Sequence, residues 1–265
     1  MPASPDILSA FDHDTHALLT MIDAIPEADW ERDTPAEGWT VRDQVAHVAF
    51  VFDLARSACA DPPAFSAALA AVAEHGFEQA VNGALVPWGA GTTQDVLGRL
   101  RQARSAVAQA LSEVSTPTVP WLQNPLPPDV LTMAGMLETL AHGQDIADAV
   151  GVVREHTDTL AYIVHFVHRT RDFGYLGTDL TPPENEFRFE VELPSGRVLE
   201  VGPTDSPDVV RGPALDLCLL AARRRHVDDL ALTATGRAAE WLPLAQAYRG
   251  PGGAGRRPGQ FAAAQ

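Results

Sequence analysis

Three ionisable side chains, those of Glu138, His142 and Asp145, lie close together in the segment MLETLAHGQDIADAVG. At 100° per residue they share a helical strip about 60° wide. The rest of the segment is apolar almost all round, which predicts a buried helix. A buried carboxylate and a buried imidazole need each other, a third partner or a metal ion. The Glu-x-x-x-His spacing suits a divalent cation, although many such pairs are solvated neighbours on a helix.

A second imidazole, that of His47, lies in another predicted helix, GWTVRDQVAHVAFVFDLA. A histidine among apolar residues is more often a core residue with one hydrogen bond than a metal ligand. Together with Glu138 and His142, however, His47 gives a set of two imidazoles and one carboxylate. A set of three protein ligands leaves coordination positions open, which is the pattern of catalytic metal sites.

Further candidates occur in YIVHFVHRTRDF, where His165 and His168 are three residues apart. These histidines could form a second metal pair, contact a substrate or lie on a helix surface. Arg169 and Arg171 could bind a substrate carboxylate through two parallel hydrogen bonds. The alternative is that the arginines pair with Asp172 and other acidic residues of the chain.

The composition excludes several classes of chemistry. The 265-residue chain has 19 basic residues, all of them arginine, and 35 acidic residues, which gives a net charge of −16. The lack of lysine excludes Schiff-base catalysis and a P-loop. Because nucleic acids and anionic membranes are polyanions, neither is an expected partner of so acidic a chain. The sequence has no GxSxG elbow, and no GxGxxG motif follows a predicted strand.

The chain also lacks an obvious nucleophilic thiol of its own. Cys59 and Cys218 are far apart, form no CxxC motif and are expected to be small buried hydrophobic residues. The N-terminus is acidic and has no apolar signal segment, and the uncharged runs are too short to span a bilayer. We therefore expect a cytoplasmic protein, present as a monomer or a homodimer.

Hydrophobic periodicity predicts a mainly helical N-terminal part. The predicted helices of this part and of the segment that follows it cover residues 6–24, 41–60, 64–82, 92–114, 130–150 and 158–171. Thr40 and Asp43 resemble a capping box at the start of the second helix, and Gly151 resembles the glycine that ends the fifth. Five prolines around Trp121 indicate an ordered crossover loop between residues 115 and 130.

The C-terminal part has a different pattern. Alternation from Phe187 to Leu193, a Pro-Ser-Gly turn and a return strand predict a β-hairpin. Helices are predicted over residues 213–225 and 236–248. The expected fold class is therefore α with a smaller α+β domain. The expected regions are an all-α domain, a smaller α+β domain and a flexible Gly-rich tail, over residues 1–155, 156–250 and 251–265.

The segments GWTVRDQVAHVAF and LETLAHGQDIADAVG resemble the DinB-like four-helix-bundle superfamily, and within it the mycothiol-dependent maleylpyruvate isomerase family. The later segments RTRDFGY, GPALDLCLLAARRR and ALTATGRAAEWLPLAQAYRGPGGAGR resemble an actinobacterial metal-binding subgroup whose C-terminal domain is of the wyosine-base-formation type. The likeness covers nearly the whole chain. The Pro-rich stretch PWLQNPLPPDVL departs from the subgroup pattern and could reshape the substrate pocket.

The resemblance implies a four-helix bundle that binds a divalent metal, most commonly zinc, with nickel as the alternative, through His47, Glu138 and His142. It places Asp145 near the metal or the substrate, and it implies that a small α+β domain covers the site. Family enzymes use mycothiol, a low-molecular-weight thiol, as cosubstrate. The metal would favour the thiolate, which would add to a conjugated cis double bond before rotation and elimination give the trans isomer.

Three functional hypotheses follow. The first is a metal-dependent, mycothiol-using isomerase or S-transferase that acts on a small carboxylate-bearing substrate. In it Asp145 and His165 are the catalytic groups, and Arg169 and Arg171 bind the substrate. The second is a thiol-independent, metal-dependent hydrolase, lyase or cyclase of secondary metabolism. The third is a non-catalytic protein that binds a metal or a small ligand.

Overall fold

The computed structural model of the chain describes residues 3–75, 77–122, 124–178, 180–249 and 255–261. The chain separates into two compact units, Met1–Arg154 and Glu155–Gln265. Among the described residues, no helix is both long enough and apolar enough to cross a membrane.

The first unit is a helical bundle. Its helices are α1 (Pro5–Asp23), α2 (Val41–Ala60), α3 (Pro62–His75), α4 (Phe77–Gly89), α5 (Thr93–Glu113) and α6 (Pro128–Val150). Helix α2 packs against both α5 and α6, and α1 packs against the same two helices. These four long helices form the bundle, while α3 and α4 lie against α2. Helix α2 is thus surrounded by other helices, which explains its apolar sequence.

Helix α2 has the bounds that the sequence predicts. The Thr40 side chain accepts a hydrogen bond from the Asp43 backbone N–H, and the Asp43 carboxylate accepts one from the Thr40 backbone N–H, so the capping box is present. The predicted apolar stripe is buried in the bundle, with Val45 and Phe52 at most 1% exposed. Because both the start and the buried face are fixed, the polar residues of α2 have fixed directions.

Helix α6 is buried over most of its length. Pro128 lies in its first turn, where the missing N–H costs nothing, and Gly151 ends it with a positive φ of 73°. Gly135 allows close packing, because a Cβ there would lie 3.2 Å from the ring of Phe11 on α1. The two helices that carry the candidate ligands, α2 and α6, pack directly against each other.

Two parts of the first unit differ in detail from the sequence-based expectation. The helix predicted over residues 64–82 is instead two helices, α3 and α4, on either side of residue 76, which lies outside the described residues. The predicted ordered crossover loop is confirmed. In it Val119 and Leu126 exchange backbone hydrogen bonds of 2.9 Å, and the Trp121 ring stacks on Phe65 with centroids 5.8 Å apart.

The second unit combines helices with a small mixed sheet. Its described elements are α7 (Leu160–Thr170), α8 (Phe173–Leu176), β1 (Arg188–Glu192), β2 (Val198–Val201), β3 (Val209–Pro213), α9 (Ala214–Ala221), β4 (Thr233–Ala234) and α10 (Arg237–Trp241). The strand order is β2-β1-β3-β4, with β1 antiparallel to β2 and parallel to β3. The predicted hairpin is therefore confirmed, and so is the fold class, α with a smaller α+β part.

Strands β3 and β4 were not predicted, and two predicted helices are too long. The helix expected over 213–225 is α9, which stops at Ala221 before Arg223 adopts a positive φ of 58°. The helix expected over 236–248 is α10 followed by a 3-10 turn at Leu242–Leu244. Pro243 lies in that turn, where it has no N–H to continue the helix. Of the expected flexible tail, residues 251–254 and 262–265 lie outside the described residues.

Candidate metal centre

The side chains of His47, Glu138 and His142 converge where α2 packs on α6. Each offers one potential ligand atom, and these atoms all lie within 4.8 Å of one another. Glu138 Oε2 is 3.0 Å from His142 Nε2 and 3.6 Å from His47 Nε2. The two imidazole rings have centroids 4.4 Å apart. The packing of α2 on α6 thus brings His47 next to two residues that lie more than ninety positions later in the sequence.

These separations match the size of a metal site. Bonds of ~2.1 Å from a tetrahedral ion place its ligand atoms about 3.4 Å apart, close to the observed distances. Two imidazole nitrogens and a carboxylate oxygen are ligands that Zn²⁺ and Ni²⁺ accept. The imidazole side chains are largely buried, at 13% and 11% exposure, whereas the Glu138 side chain is 32% exposed. The residues therefore fit a divalent metal with access from solvent.

The electrostatics of the cluster favour an ionised carboxylate. Burial by itself would raise the pKa of Glu138, but hydrogen bonds and charge from His142 and His47 outweigh it and hold the pKa well below its usual range. At neutral pH the cluster therefore presents a negative oxygen beside two imidazoles, which suits a cation.

A shell of further side chains surrounds the imidazoles. Nδ1 of His142 is 2.6 Å from Oε1 of Gln44, and Nε2 of Gln44 donates to the hydroxyl of Thr34 at 2.9 Å. The indole of Trp39 lies against both rings, stacked on His142 with centroids 6.0 Å apart and tilted on His47 at 5.0 Å. Sequence reasoning missed these three residues. Gln44 carried a usable signal, because it is a polar residue one helical turn before His47 on an apolar helix.

The N-terminal half of the chain matches a known protein family. The family described as "Mycothiol maleylpyruvate isomerase N-terminal domain" matches residues 11–147. This match covers just over half of the chain and includes all three converging residues. The chain belongs to the mycothiol maleylpyruvate isomerase N-terminal domain family.

Two relatives of this chain are similar to it over most of both units. Two uncharacterized proteins of Mycobacterium tuberculosis, one from strain CDC 1551 / Oshkosh and one from strain H37Rv, are each 35% identical over 243 residues. The matches cover 90% of this chain and 93% of each relative. The sequence similarity thus extends beyond the family domain into the second unit of this chain.

Solved structures of similar fold are crystal structures of mycothiol-dependent maleylpyruvate isomerase and of a histidine-to-alanine mutant of it. Both have a TM-score of 0.55, cover 83% of this chain and are covered to 89%, at 17% and 16% identity respectively. At this identity the likeness establishes the shared fold, a DinB-like bundle with a smaller α+β part.

The other four predicted site residues lie in both units. Asp145 is fully buried on α6, one turn beyond His142. His165 and Arg169 are exposed on α7 in the second unit. Arg171 is mostly buried and forms ion pairs with Asp172 and with Glu186, at 3.5 and 4.0 Å. The roles predicted for Asp145, His165, Arg169 and Arg171 stay predictions.

The cysteines differ from the sequence-based expectation in one respect. Cys218 is fully buried as expected, but Cys59 is only half-buried, near the end of α2. Desolvation raises the pKa of Cys59 to about 11, and it raises the pKa of Cys218 further. Neither thiol is therefore ionised near neutral pH, and neither belongs to the His47–Glu138–His142 cluster.

Proposed function

We propose that this chain is a metal-dependent enzyme that uses mycothiol, or a similar low-molecular-weight thiol, for isomerisation or S-transfer on a small carboxylate-bearing substrate. The observation that carries the proposal is the convergence of His47, Glu138 and His142 in a mycothiol maleylpyruvate isomerase family domain. A cytoplasmic location, and a monomer or homodimer without nucleic acid or membrane partners, are parts of the same proposal.

His47, Glu138 and His142 would hold the metal, with Zn²⁺ as the leading candidate and Ni²⁺ as the alternative. When bound, such an ion supplies Lewis acidity that favours the thiolate form of an external thiol. The single carboxylate among the ligands leaves a net positive centre that attracts an anionic sulfur.

The residues around the cluster would orient it and limit access to it. Trp39 lies against both imidazoles, stacked on His142 and tilted on His47, whereas the Glu138 side chain is partly exposed. Because the pKa of both cysteines is raised, the nucleophilic sulfur has to come from outside the chain. Asp145 lies one turn from His142 and would orient a ligand or relay a proton.

The predicted substrate contacts belong to the second unit. Arg169 is exposed, so its guanidinium could bind a carboxylate without giving up a buried partner. Arg171 already faces two acidic side chains, and binding a substrate would require it to exchange them. Of the two arginines, Arg169 is therefore the better candidate, and His165 beside it remains a candidate proton carrier.

The test is turnover with and without thiol. Protein loaded with Zn²⁺ or Ni²⁺ is incubated with a panel of cis-unsaturated and electrophilic acids, with mycothiol present or omitted, and products are identified by mass spectrometry. The proposal expects trans isomers or thiol adducts only when mycothiol is present, and none with the variant Glu138→Gln.

Two other outcomes favour the alternatives. Turnover that is unchanged without thiol would contradict the proposal and favour a thiol-independent hydrolase, lyase or cyclase. Tight metal binding without turnover on any acid of the panel would favour a non-catalytic binding protein. The partly exposed Glu138 and the set of three ligands argue against a closed storage site, which uses four protein ligands.

A further inference from the structure

We propose that Gln44 is a positioning residue that fixes the tautomer of His142, so that Nε2 of this ring carries the lone pair for the metal. The inference rests on the metal site of the proposed function and adds to it a chain of hydrogen bonds with one possible direction. That chain runs from the backbone carbonyl of Trp39 through Thr34 and Gln44 to His142.

The direction is set at the Trp39 carbonyl, because a carbonyl oxygen only accepts hydrogen bonds. The Thr34 hydroxyl lies 2.8 Å from this oxygen and therefore donates its only hydrogen to it. The oxygen of Thr34 is then left as an acceptor, and Nε2 of Gln44 donates to it at 2.9 Å. This contact orients the amide, which could otherwise be placed either way round.

The orientation of the Gln44 amide decides the state of His142. With Nε2 turned to Thr34, the carbonyl oxygen Oε1 faces Nδ1 of His142 at 2.6 Å. Since Oε1 only accepts, Nδ1 of His142 must carry a hydrogen. In the neutral ring the lone pair then lies on Nε2, the atom 3.0 Å from the Glu138 carboxylate.

Nε2 of His142 and Oε2 of Glu138, 3.0 Å apart, attract each other when a cation lies between them, either a proton on the ring or a metal ion. In the neutral ring both atoms are acceptors once Gln44 occupies Nδ1. The chain of hydrogen bonds therefore prepares the pair for a metal ion before the ion arrives. His47 lacks this arrangement, because its buried Nδ1 has no hydrogen-bond partner among the described residues.

Burial makes the arrangement hard to replace by water. Gln44 is 0% exposed and Thr34 is 9% exposed. A buried ring nitrogen that loses its acceptor has no solvent molecule at hand to replace it. Partners that orient metal-binding histidines in this way typically contribute 10–100-fold to metal affinity.

The experiment measures Zn²⁺ affinity by competition with a chelator, in the full-length chain. Gln44→Leu should weaken binding about 10–100-fold, because it removes the acceptor at Nδ1. Gln44→Glu keeps an acceptor there and should keep the affinity within a few-fold or raise it. Gln144→Leu is the matched control, since Gln144 is a buried glutamine on α6 whose amide donates to Asp148. Equal affinity in wild type and folded Gln44→Leu would overturn the proposal.

A second pair of variants covers the case in which Gln44→Leu does not fold. Thr34→Val keeps the shape of the side chain but removes the hydroxyl that orients the amide, so affinity should fall between wild type and Gln44→Leu. Thr34→Ser restores the hydroxyl and should restore the affinity. A Thr34→Val protein as tight as wild type would contradict the proposed direction of the chain.

¹⁵N NMR of the imidazole nitrogens separates this proposal from the metal proposal. In metal-free protein at alkaline pH, with the ring neutral, the His142 ring should carry its single hydrogen on Nδ1. In Gln44→Leu the two tautomers should mix. A wild-type ring with its hydrogen on Nε2 would overturn the tautomer proposal whether or not metal binds. A wild type with the expected tautomer but no metal affinity would overturn the metal site alone.

Discussion

Glu190 in the second unit and Glu138 in the first unit are paired with different kinds of side chain. In the sheet of the second unit, Arg188 contacts Glu190 at 2.7 Å and Glu200 at 2.9 Å, and Arg211 contacts the other oxygen of Glu190 at 2.7 Å. Every negative group in this network faces a permanent positive charge. The network is therefore complete without any ligand, as is usual for ion pairs at a sheet surface.

In the first unit Glu138 faces two imidazoles, and among the ion pairs of the described residues it has no arginine partner. An imidazole supplies a positive charge only when it is protonated, and otherwise it adds another acceptor. The Glu190 carboxylate is therefore neutralised by the chain itself, whereas the Glu138 carboxylate is neutralised only when an imidazole is protonated or a cation binds. The proposed metal site accordingly lies in the bundle, at the contact of α2 with α6.

The largest expected difference is in the stabilisation by Zn²⁺ when one carboxylate of each unit is replaced. Saturating Zn²⁺ at 100 times its dissociation constant stabilises the folded state by about 2.7 kcal/mol, so the melting temperature should rise by several degrees. Glu138→Gln should abolish this rise, whereas Glu190→Gln should keep it in full. Differential scanning calorimetry with and without Zn²⁺ measures both. A rise that survives Glu138→Gln would show that the metal binds elsewhere.

The fluorescence of Trp39 tests whether a metal ion binds beside the two imidazoles. The indole lies 5.0 Å from the His47 ring and 6.0 Å from the His142 ring, so an open-shell ion such as Ni²⁺ should quench its fluorescence. Trp39→Phe should lose the quenching. Trp88→Phe is the control, because Trp88 lines a separate groove of about 380 Å³ with Arg99 and Asp53. Quenching that disappears in the control instead would move the metal to that groove.

The reactivity of the two cysteines tests the proposal that the reactive sulfur comes from outside the chain. The pKa of Cys59 is raised to about 11 by desolvation, so its alkylation rate should climb about tenfold per pH unit between pH 7 and pH 10. Cys218 should not react in the folded protein, because it is fully buried and its pKa is raised further. Timed iodoacetamide labelling with mass spectrometry checks both. Rapid labelling of either thiol at pH 7 would contradict the claim.

The smallest expected effect comes from helix caps. Thr40→Ala and Thr92→Ala each remove one capping box, at the starts of α2 and α5, and should each cost about 1 kcal/mol of stability. Only Thr40→Ala loosens the turn that carries Gln44, so only this variant should also weaken Zn²⁺ binding, by a few-fold. Urea unfolding and chelator competition separate the two effects, and equal metal affinity in both variants would remove the link.

Much of the bundle could be predicted from sequence because its signals are local. The Thr40 and Asp43 cap fixed the start of α2, the apolar period fixed its buried face, and Gly151 fixed the end of α6. Strand β3 escaped prediction because Val209–Pro213 holds a glycine and a proline, residues that are depleted in strands. Its pairing with β1 comes from tertiary contacts that no local pattern records.

Part of the candidate site could likewise be predicted from local sequence signals, and part could not. The spacing of Glu138 and His142 is readable on one helix, and the polar His47 and Gln44 stand out on another. The contact of Gln44 with His142 joins residues 98 positions apart, and the role of Thr34 depends on a loop conformation. Neither follows from periodicity, because periodicity gives the face of a helix and not the direction of a hydrogen bond.

Elemental analysis of purified protein tests whether His47, Glu138 and His142 bind a metal ion. Wild type and His142→Ala, prepared in parallel and dialysed against the same Zn²⁺-containing buffer, are compared for bound metal per chain. We expect about one equivalent in wild type and a large loss in His142→Ala, because two remaining ligands hold a divalent ion poorly. Equal metal content in the two proteins would contradict it.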